Sequence, residues 1–366
     1  MATVAPHETM IGDDRPPASV AGPYAWLRNN LFNSWFNAIL TLVSLYVIGR
    51  IGWSFLSWAI LDAAWSGSVE TCQKTTGACW VLVHERYRLI FFGTYPYAEQ
   101  WRPALAIALF VAMLAPSCWR QLWNRRLAIA WAVVLVLMGW LMYGGFGLAM
   151  VTTSYWNGLP ITFIFSIVGL IVAFPLSMLL ALARRSRLPI IRYMSIGYIE
   201  VIRGVPLISI LFMAVAMFPL FMPVHITIDA LVRAQIGLIL FSAAYMAEVI
   251  RAGLIAVPRG QYEAAEALGL NYPRRIAFVV MPQALKIVIP PLVNIFIGTF
   301  KNTALLTVVG LFDLLGTAKL AVTDPVWRPY TVESYVFTAA IFFVFCFFMS
   351  KFSQYLETIL RRGAAR

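Results

Sequence analysis

With 61% hydrophobic and only 12% charged residues among 366, the chain cannot cover a water-soluble surface, since soluble domains carry about 25% charged residues. The formal charge of +12 would fit a nucleic-acid binder only if the basic residues gathered on one face; they fall between apolar runs, so nucleic acid is excluded as a partner. His7, His84 and His225 stand apart in sequence, no His, Cys or carboxylate cluster has metal-ligand spacing, and no nucleophile stands beside a base.

Residues 1–30, with Asp13, Asp14, Arg15, Pro6, Pro16, Pro17 and Pro23, lack the basic-then-apolar order of a cleaved signal. They are expected to be a retained, disordered cytoplasmic tail. A first span is predicted at about 31–52, because about 20 apolar residues cross about 30 Å of hydrocarbon. Arg50 then lies at its outer end, where its guanidinium snorkels to water, and Trp53, Trp58 and Trp65 follow as interfacial aromatics. Residues 53–101 are read as a large outer loop. Its Cys72 and Cys79 face, on this topology, an oxidising compartment where thiols pair; a disulfide is expected, and two free thiols are the alternative that spacing leaves open. Cys118 and Cys346 fall at or inside spans, as packing residues do.

Seven more spans are predicted, at about 102–118, 127–151, 159–183, 198–221, 232–254, 282–303 and 333–352, followed by a basic tail at 356–366. If the N-terminus is cytoplasmic, most of the 28 basic residues fall in inner segments, among them Arg125, Arg126, Arg184, Arg185, Arg187, Arg192, Arg259, Arg274 and Arg275. An excess of Arg and Lys in short loops marks the inner side. Both termini are therefore expected to be cytoplasmic.

The longest inner segment, 255–281, carries the most information. Pro258 and Gly260 break the incoming chain; Gln261 to Leu268 are helix formers, stopped by Gly269, which suits a left-handed cap. After Asn271 and Pro273 a second short helix is expected to run to Met281, with Pro282 opening the next span. Ala264, Ala265 and Ala267 would allow another backbone to approach closely, and Leu268 offers one apolar knob. Glu263 and Glu266 either pair with Arg274 or Arg275 or contact a partner. An ordinary amphipathic connector is the plainer alternative.

Glu263-Ala264-Ala265, Gly269 and the apolar Val279-Val280-Met281-Pro282 together resemble the EAA loop of binding-protein-dependent ABC importers, with Val279 and Met281 standing where isoleucine and leucine are usual. Gly158-Leu159-Pro160, Glu200 to Leu207, Ala244 to Arg251 and Pro290 to Asn294 are similar to the polar-amino-acid permease subfamily. The longer N-terminal region resembles the M-type membrane subunit of general L-amino-acid importers. What the resemblance implies is an all-α polytopic membrane protein: a five-helix, type I-like permease core over 158–355, preceded at 31–157 by a three-span extension. It further implies a homologous permease subunit, an ABC ATPase dimer that binds ATP and Mg, a periplasmic binding protein, and amino-acid substrates crossing the bacterial inner membrane. Glu263, Ala264, Ala265, Leu268 and Gly269 would couple to the ATPase.

Glu-Val-Ile-Arg occurs twice, at 200–203 and 248–251. In each copy the acid and base are three apart on a helix and can pair with each other or across helices. The readings are ion pairs that neutralise helix ends, or a place in the substrate pathway for Glu200, Arg203, Glu248 and Arg251, as an inner gate or as holders of an amino acid's charged groups. Lys301-Asn302-Thr303-Ala304-Leu305 resembles a Lys-Asp/Ser-Ser/Thr-Ser-Leu run of the family, from which Asn302 and Ala304 depart. A span broken there would let Lys301 line a cavity, as interrupted transporter helices do; snorkelling is the alternative. Asp313 and Lys319 are placed on an amphipathic outer helix spanning 305–321.

No Gly-x-x-x-x-Gly-Lys-Ser/Thr loop is present, so the chain is expected to hold no cofactor and no ATPase site of its own. A transporter driven by an ion gradient would usually show intramembrane acids; Glu200 and Glu248 are the only candidates, and both lie near the inner end. A scaffold subunit that never touches substrate is the third reading.

Overall fold

Proline and glycine punctuate the helices of this chain. The computed structural model describes residues 22–223 and 225–364. Among the described residues there is no β-strand, only three isolated bridges. Seven helices are long and apolar enough to cross a membrane, and a bent pair makes eight.

The chain divides into two compact units, one ending at Trp80 and one beginning at Val81. The first holds α1 (Pro23–Asn30), α2 (Trp35–Leu56) and α3 (Val69–Lys74). The helix at α1 replaces the end of the expected tail; residues 1–21 lie outside the described residues. Ser34 caps α2 by accepting from the Asn37 N–H at 3.2 Å. A π turn, Ser57–Leu61, prolongs α2, so this span ends beyond the predicted 52 and the loop after it is shorter. Cys72 and Cys79 are disulfide-bonded with Cα atoms 5.3 Å apart. The Trp80 indole donates to the Ala59 carbonyl at 2.7 Å and its ring lies 5.9 Å from that of Trp65, which ties the disulfide loop to the end of the span.

The second unit runs through α4 (Val81–Phe92), α5 (Trp101–Ser117), α6 (Arg125–Tyr143), α7 (Leu159–Ala183), α8 (Pro189–Gly204), α9 (Leu207–Phe212), α10 (Ala230–Ala256), α11 (Arg259–Ala267), α12 (Tyr272–Arg274), α13 (Met281–Asn302), α14 (Leu314–Ala321) and α15 (Thr331–Ala364). Residues 81–157 thus share a core with the helices that follow. Phe110 and Phe163 have ring centroids 4.7 Å apart, Thr317 donates to the Ile90 carbonyl at 2.6 Å, and Arg86 pairs with Asp324 at 2.6 Å. Arg102 is wholly buried and donates to the carbonyls of Leu141 and Ala149 at 2.7 and 2.8 Å. It thereby pins the turn where α6 stops at Gly144, short of the predicted 151. Gly144 has φ +89°, and a Cβ there would meet the Ala149 carbonyl at 2.2 Å.

The fifth predicted span, 198–221, is not one straight helix. α8 and the segment Leu207–Phe221 meet at 104°, because Pro206 cannot donate a backbone hydrogen bond and holds Val205 extended at φ −98°, ψ 133°. The seventh begins earlier than predicted: Tyr272–Val309 is a single apolar helical run. Pro282 has no N–H to give the preceding turn, and the helix widens there into a π turn, Arg275–Val280, without stopping. The basic tail expected at 356–366 continues α15 as far as Ala364. α10 and α13 cross so closely at Gly253 that a Cβ there would lie 2.3 Å from the Val288 side chain and 3.0 Å from the Ala284 carbonyl.

Candidate functional site

α11 joins the two helices of that crossing. Its end is fixed by a two-bond left-handed cap: the Gly269 N–H donates to the Glu266 carbonyl at 2.9 Å and the Leu270 N–H to the Ala265 carbonyl at 3.2 Å. Gly269 has φ +76°, and an added Cβ would meet nothing within 4 Å; backbone conformation, not space, selects glycine here. Three tethers hold the helix. Tyr262 donates to the Leu254 carbonyl at 2.7 Å, Gln283 donates to Gln261 at 3.0 Å, and Arg275 pairs with Glu266 at 2.6 Å. Ala265, expected on the partner-facing surface, turns inward and is 2% exposed. Glu263, Ala264 and Ala267 are exposed and Leu268 is 80% exposed. One face of α11 is therefore fastened to the chain and the other is bare.

Beside it, two consecutive arginines leave the end of α7 in different directions. Arg184 reaches Glu248 at 3.0 Å and Glu200 at 2.8 Å. Arg251 completes the cluster, its Nε lying 3.0 Å from both Glu248 carboxylate oxygens. Arg185 donates to the Leu254 carbonyl at 3.1 Å and to the Tyr262 hydroxyl at 3.0 Å. Arg203 lies outside this network: its guanidinium sits 5.6 Å from the Tyr245 ring centroid, and the Tyr245 hydroxyl donates to its carbonyl at 3.3 Å. Four charges meet, two of each sign, so each carboxylate of this cluster has a cation.

At the other end of α13 the helix tightens into a 3-10 turn, Thr303–Val309, closed by Gly310 in the left-handed conformation. Lys301 is exposed and Asn302 half-buried, whereas Thr303 is buried. The Thr303 hydroxyl has one proton, and the Phe300 carbonyl at 2.8 Å takes it in preference to Asp313 at 3.4 Å. The expected run thus separates into an exposed cation and a buried brace. Asp313 is not on a helix face but is the buried N-cap of α14, accepting from the Gly316 N–H at 2.9 Å. Burial pushes its carboxyl up from the ordinary value, opposed by hydrogen bonds from Gly316, Leu315 and Thr307. A cavity of about 360 Å³ opens here, lined by Ala304, Thr307, Leu315, Lys319 and Tyr335; Lys319, not Lys301, is its cation.

Residues 173–362 match the family described as binding-protein-dependent transport system inner membrane component. The chain belongs to that family. This permease is 47% identical over 341 residues to the inner membrane amino-acid ABC transporter permease protein YhdY of Escherichia coli (strain K12), covering 92% of this chain and 93% of that one. It is 35% identical over 422 residues to the glutamate/glutamine/aspartate/asparagine transport system permease protein BztC of Rhodobacter capsulatus, covering 96% and 97%. Among solved structures, one described as the crystal structure of an amino acid ABC transporter with histidines is 33% identical, with a TM-score of 0.50, over 55% of this chain and 91% of that one. The charge cluster and α11 both fall within the matched residues.

Sequence reasoning missed Arg184 and Arg185 as parts of the permease's site, counting them only as charges that orient the chain. Two arginines where a helix ends, beside its free carbonyls, were the available signal. Tyr262 lies within the helix-forming stretch Gln261 to Leu268, where nothing local marks it as a tether.

Proposed function

We propose that this permease forms, with a homologous membrane subunit, the path by which L-amino acids enter through a bacterial inner membrane, with both termini cytoplasmic. Its drive is a separate ABC ATPase dimer that binds ATP and Mg, and a periplasmic binding protein delivers the substrate. Broad or polar specificity is favoured by the relatives, whose names include an amino-acid permease and a glutamate/glutamine/aspartate/asparagine permease. The observation that carries the reading is α11 itself: three tethers on one side and an exposed Leu268 on the other make it a rigid handle awaiting a partner. Closure of the ATPase would move α11 and, through it, α10 and α13. Glu248, Arg251 and Glu200 would brace the inner end, and Lys301 and Asn302 would face the pathway.

The test is uptake by proteoliposomes holding the assembled complex. ATP-dependent uptake, lost when the ATPase is omitted, is expected; uptake that persists without it would mean an ion-driven carrier. Gly269→Asp is expected to keep ATP hydrolysis and lose uptake, because a side chain is strained at φ +76° and disturbs the cap that fixes the end of α11. Unimpaired uptake by this variant removes α11 from the mechanism.

A further inference from the structure

The turn between α7 and α8 and the far side of the α11–α12 hairpin border a cavity of about 620 Å³, partly open to solvent. Arg185, Arg187 and Arg275 line it, with Glu266 as the one acid among its lining residues. Glu266 is already engaged by the Nη1 of Arg275 at 2.6 Å. Arg185 spends its own Nη1 on the Leu254 carbonyl and the Tyr262 hydroxyl, which are neutral. Arg187 is exposed and makes no ion pair among the described residues.

Two groups in this wall lack partners. The Nε of Arg275 is buried with no hydrogen-bond acceptor, although the Arg275 side chain is only 14% exposed. Leaving a buried donor on a charged group unpaired is costly. The second is the start of α8. Its N-cap is Leu188, which has no oxygen to accept from the first-turn N–H groups, and Pro189 occupies the first turn. Leu188 and Ile191 both line the cavity, so the positive end of a 16-residue helix adds to the field of the arginines.

We propose that this cavity binds an anionic phosphate group. A planar guanidinium fork matches phosphate oxygens, and the exposed Arg187 guanidinium and the uncapped helix start offer donors to one in this cavity. The phosphate can come from an anionic phospholipid of the adjacent leaflet or from a soluble phosphate. A filled site would link the α7–α8 turn to the hairpin that carries α11. The site stands apart from the transport reading, since neither its geometry nor its test involves an ATPase.

The test uses the purified full chain in two arms. In one, the delipidated chain is offered equal phosphatidylglycerol and phosphatidylcholine, and retained lipid is counted by native mass spectrometry. In the other, radiolabelled inorganic phosphate is measured by equilibrium dialysis. Saturable binding in at least one arm is expected, falling about tenfold in Arg187→Gln and in Arg275→Gln and unchanged in Arg203→Gln, which lies outside the cavity. Selective retention of phosphatidylglycerol identifies a lipid headgroup, and binding in the dialysis arm identifies a soluble phosphate. Arg275→Gln also removes the pair with Glu266; should it fail to fold, Arg187→Gln carries the test. No binding in either arm, or binding that both cavity variants leave intact, overturns the proposal; the former outcome leaves the cavity to a carboxylate of a protein partner.

Discussion

The two copies of Glu-Val-Ile-Arg, at 200–203 and 248–251, are one tetrapeptide in two situations. In the second copy, Glu248 and Arg251 lie within the 27-residue α10 and pair with each other, with exposures of 22% and 29%. In the first, Arg203 is the last residue but one of α8, Glu200 is 55% exposed, and the acid pairs with Arg184 of another segment while the base rests on Tyr245. Spacing of three along a helix permits the internal pair in both. What differs is the company: Arg184 stands between the two acids, and α8 ends and bends where α10 continues. Local spacing sets which pairs are possible; the third charge decides which are made.

The largest expected effect follows from the better enclosed copy. Glu248→Ala leaves Arg184 and Arg251 facing each other with one remaining acid, and should cost about 2–3 kcal/mol, read by thermal unfolding of the detergent-purified chain. A cost no greater than that of the equivalent change at Glu200 would abolish the distinction between the copies. Next, Arg185→Ala and Tyr262→Phe separate the neighbour of Arg184 from the charge cluster. Each should cost about 1 kcal/mol and lower the uptake obtained per ATP hydrolysed, with the cluster intact; equal losses of hydrolysis and uptake would show damage to folding alone. Glu200→Ala should cost about 0.5 kcal/mol, the value of a half-exposed pair, and a double-mutant cycle with Arg184→Ala measures that coupling directly.

The smallest effect sharpens the contrast between acids with and without a cation. The partners of Asp313 are hydroxyls and N–H groups, and its carboxyl is raised by burial. A raised folded value means the proton is held more tightly when folded, so its contribution to stability is full below the ordinary carboxylate range and is lost as pH rises through the raised value. Asp313→Asn keeps an N-cap acceptor, should change stability by about 0.3 kcal/mol or less because Asn and Asp cap about equally well, and should remove that pH slope. A slope that persists in the variant assigns it to another group.

Much of this was legible in the sequence. The all-helical class and the spans followed from apolar length, and the span predicted at 159–183 has the bounds of α7. The hairpin after α10 was legible because Pro258, Gly260, Gly269 and Pro273 act through local backbone chemistry. Long-range choices were not. That Ala265 turns inward while Ala264 stays exposed depends on what lies beneath α11, and that Asp313 is a buried N-cap depends on Thr307, on the turn before it, and on the packing around α14. Pro206 and Pro282 make the same point: both lack a donor, yet one bends the chain by 104° and the other is absorbed in a π turn.

The close crossing at Gly253 has a mechanical meaning. One residue further along, the Leu254 carbonyl receives both Tyr262 and Arg185, so the joint at which α11 meets α10 is braced on one side by Val288 and tied on the other by two bonds. Such a joint has no backlash. On the proposed mechanism, a stroke applied to α11 would pass to α10 and α13 with little play between them, and the ATP spent for each molecule carried would then depend on how stiff this short stretch of backbone remains. Gly253→Ala, which wedges the crossing open, would be read as slip: hydrolysis continuing while delivery falls behind.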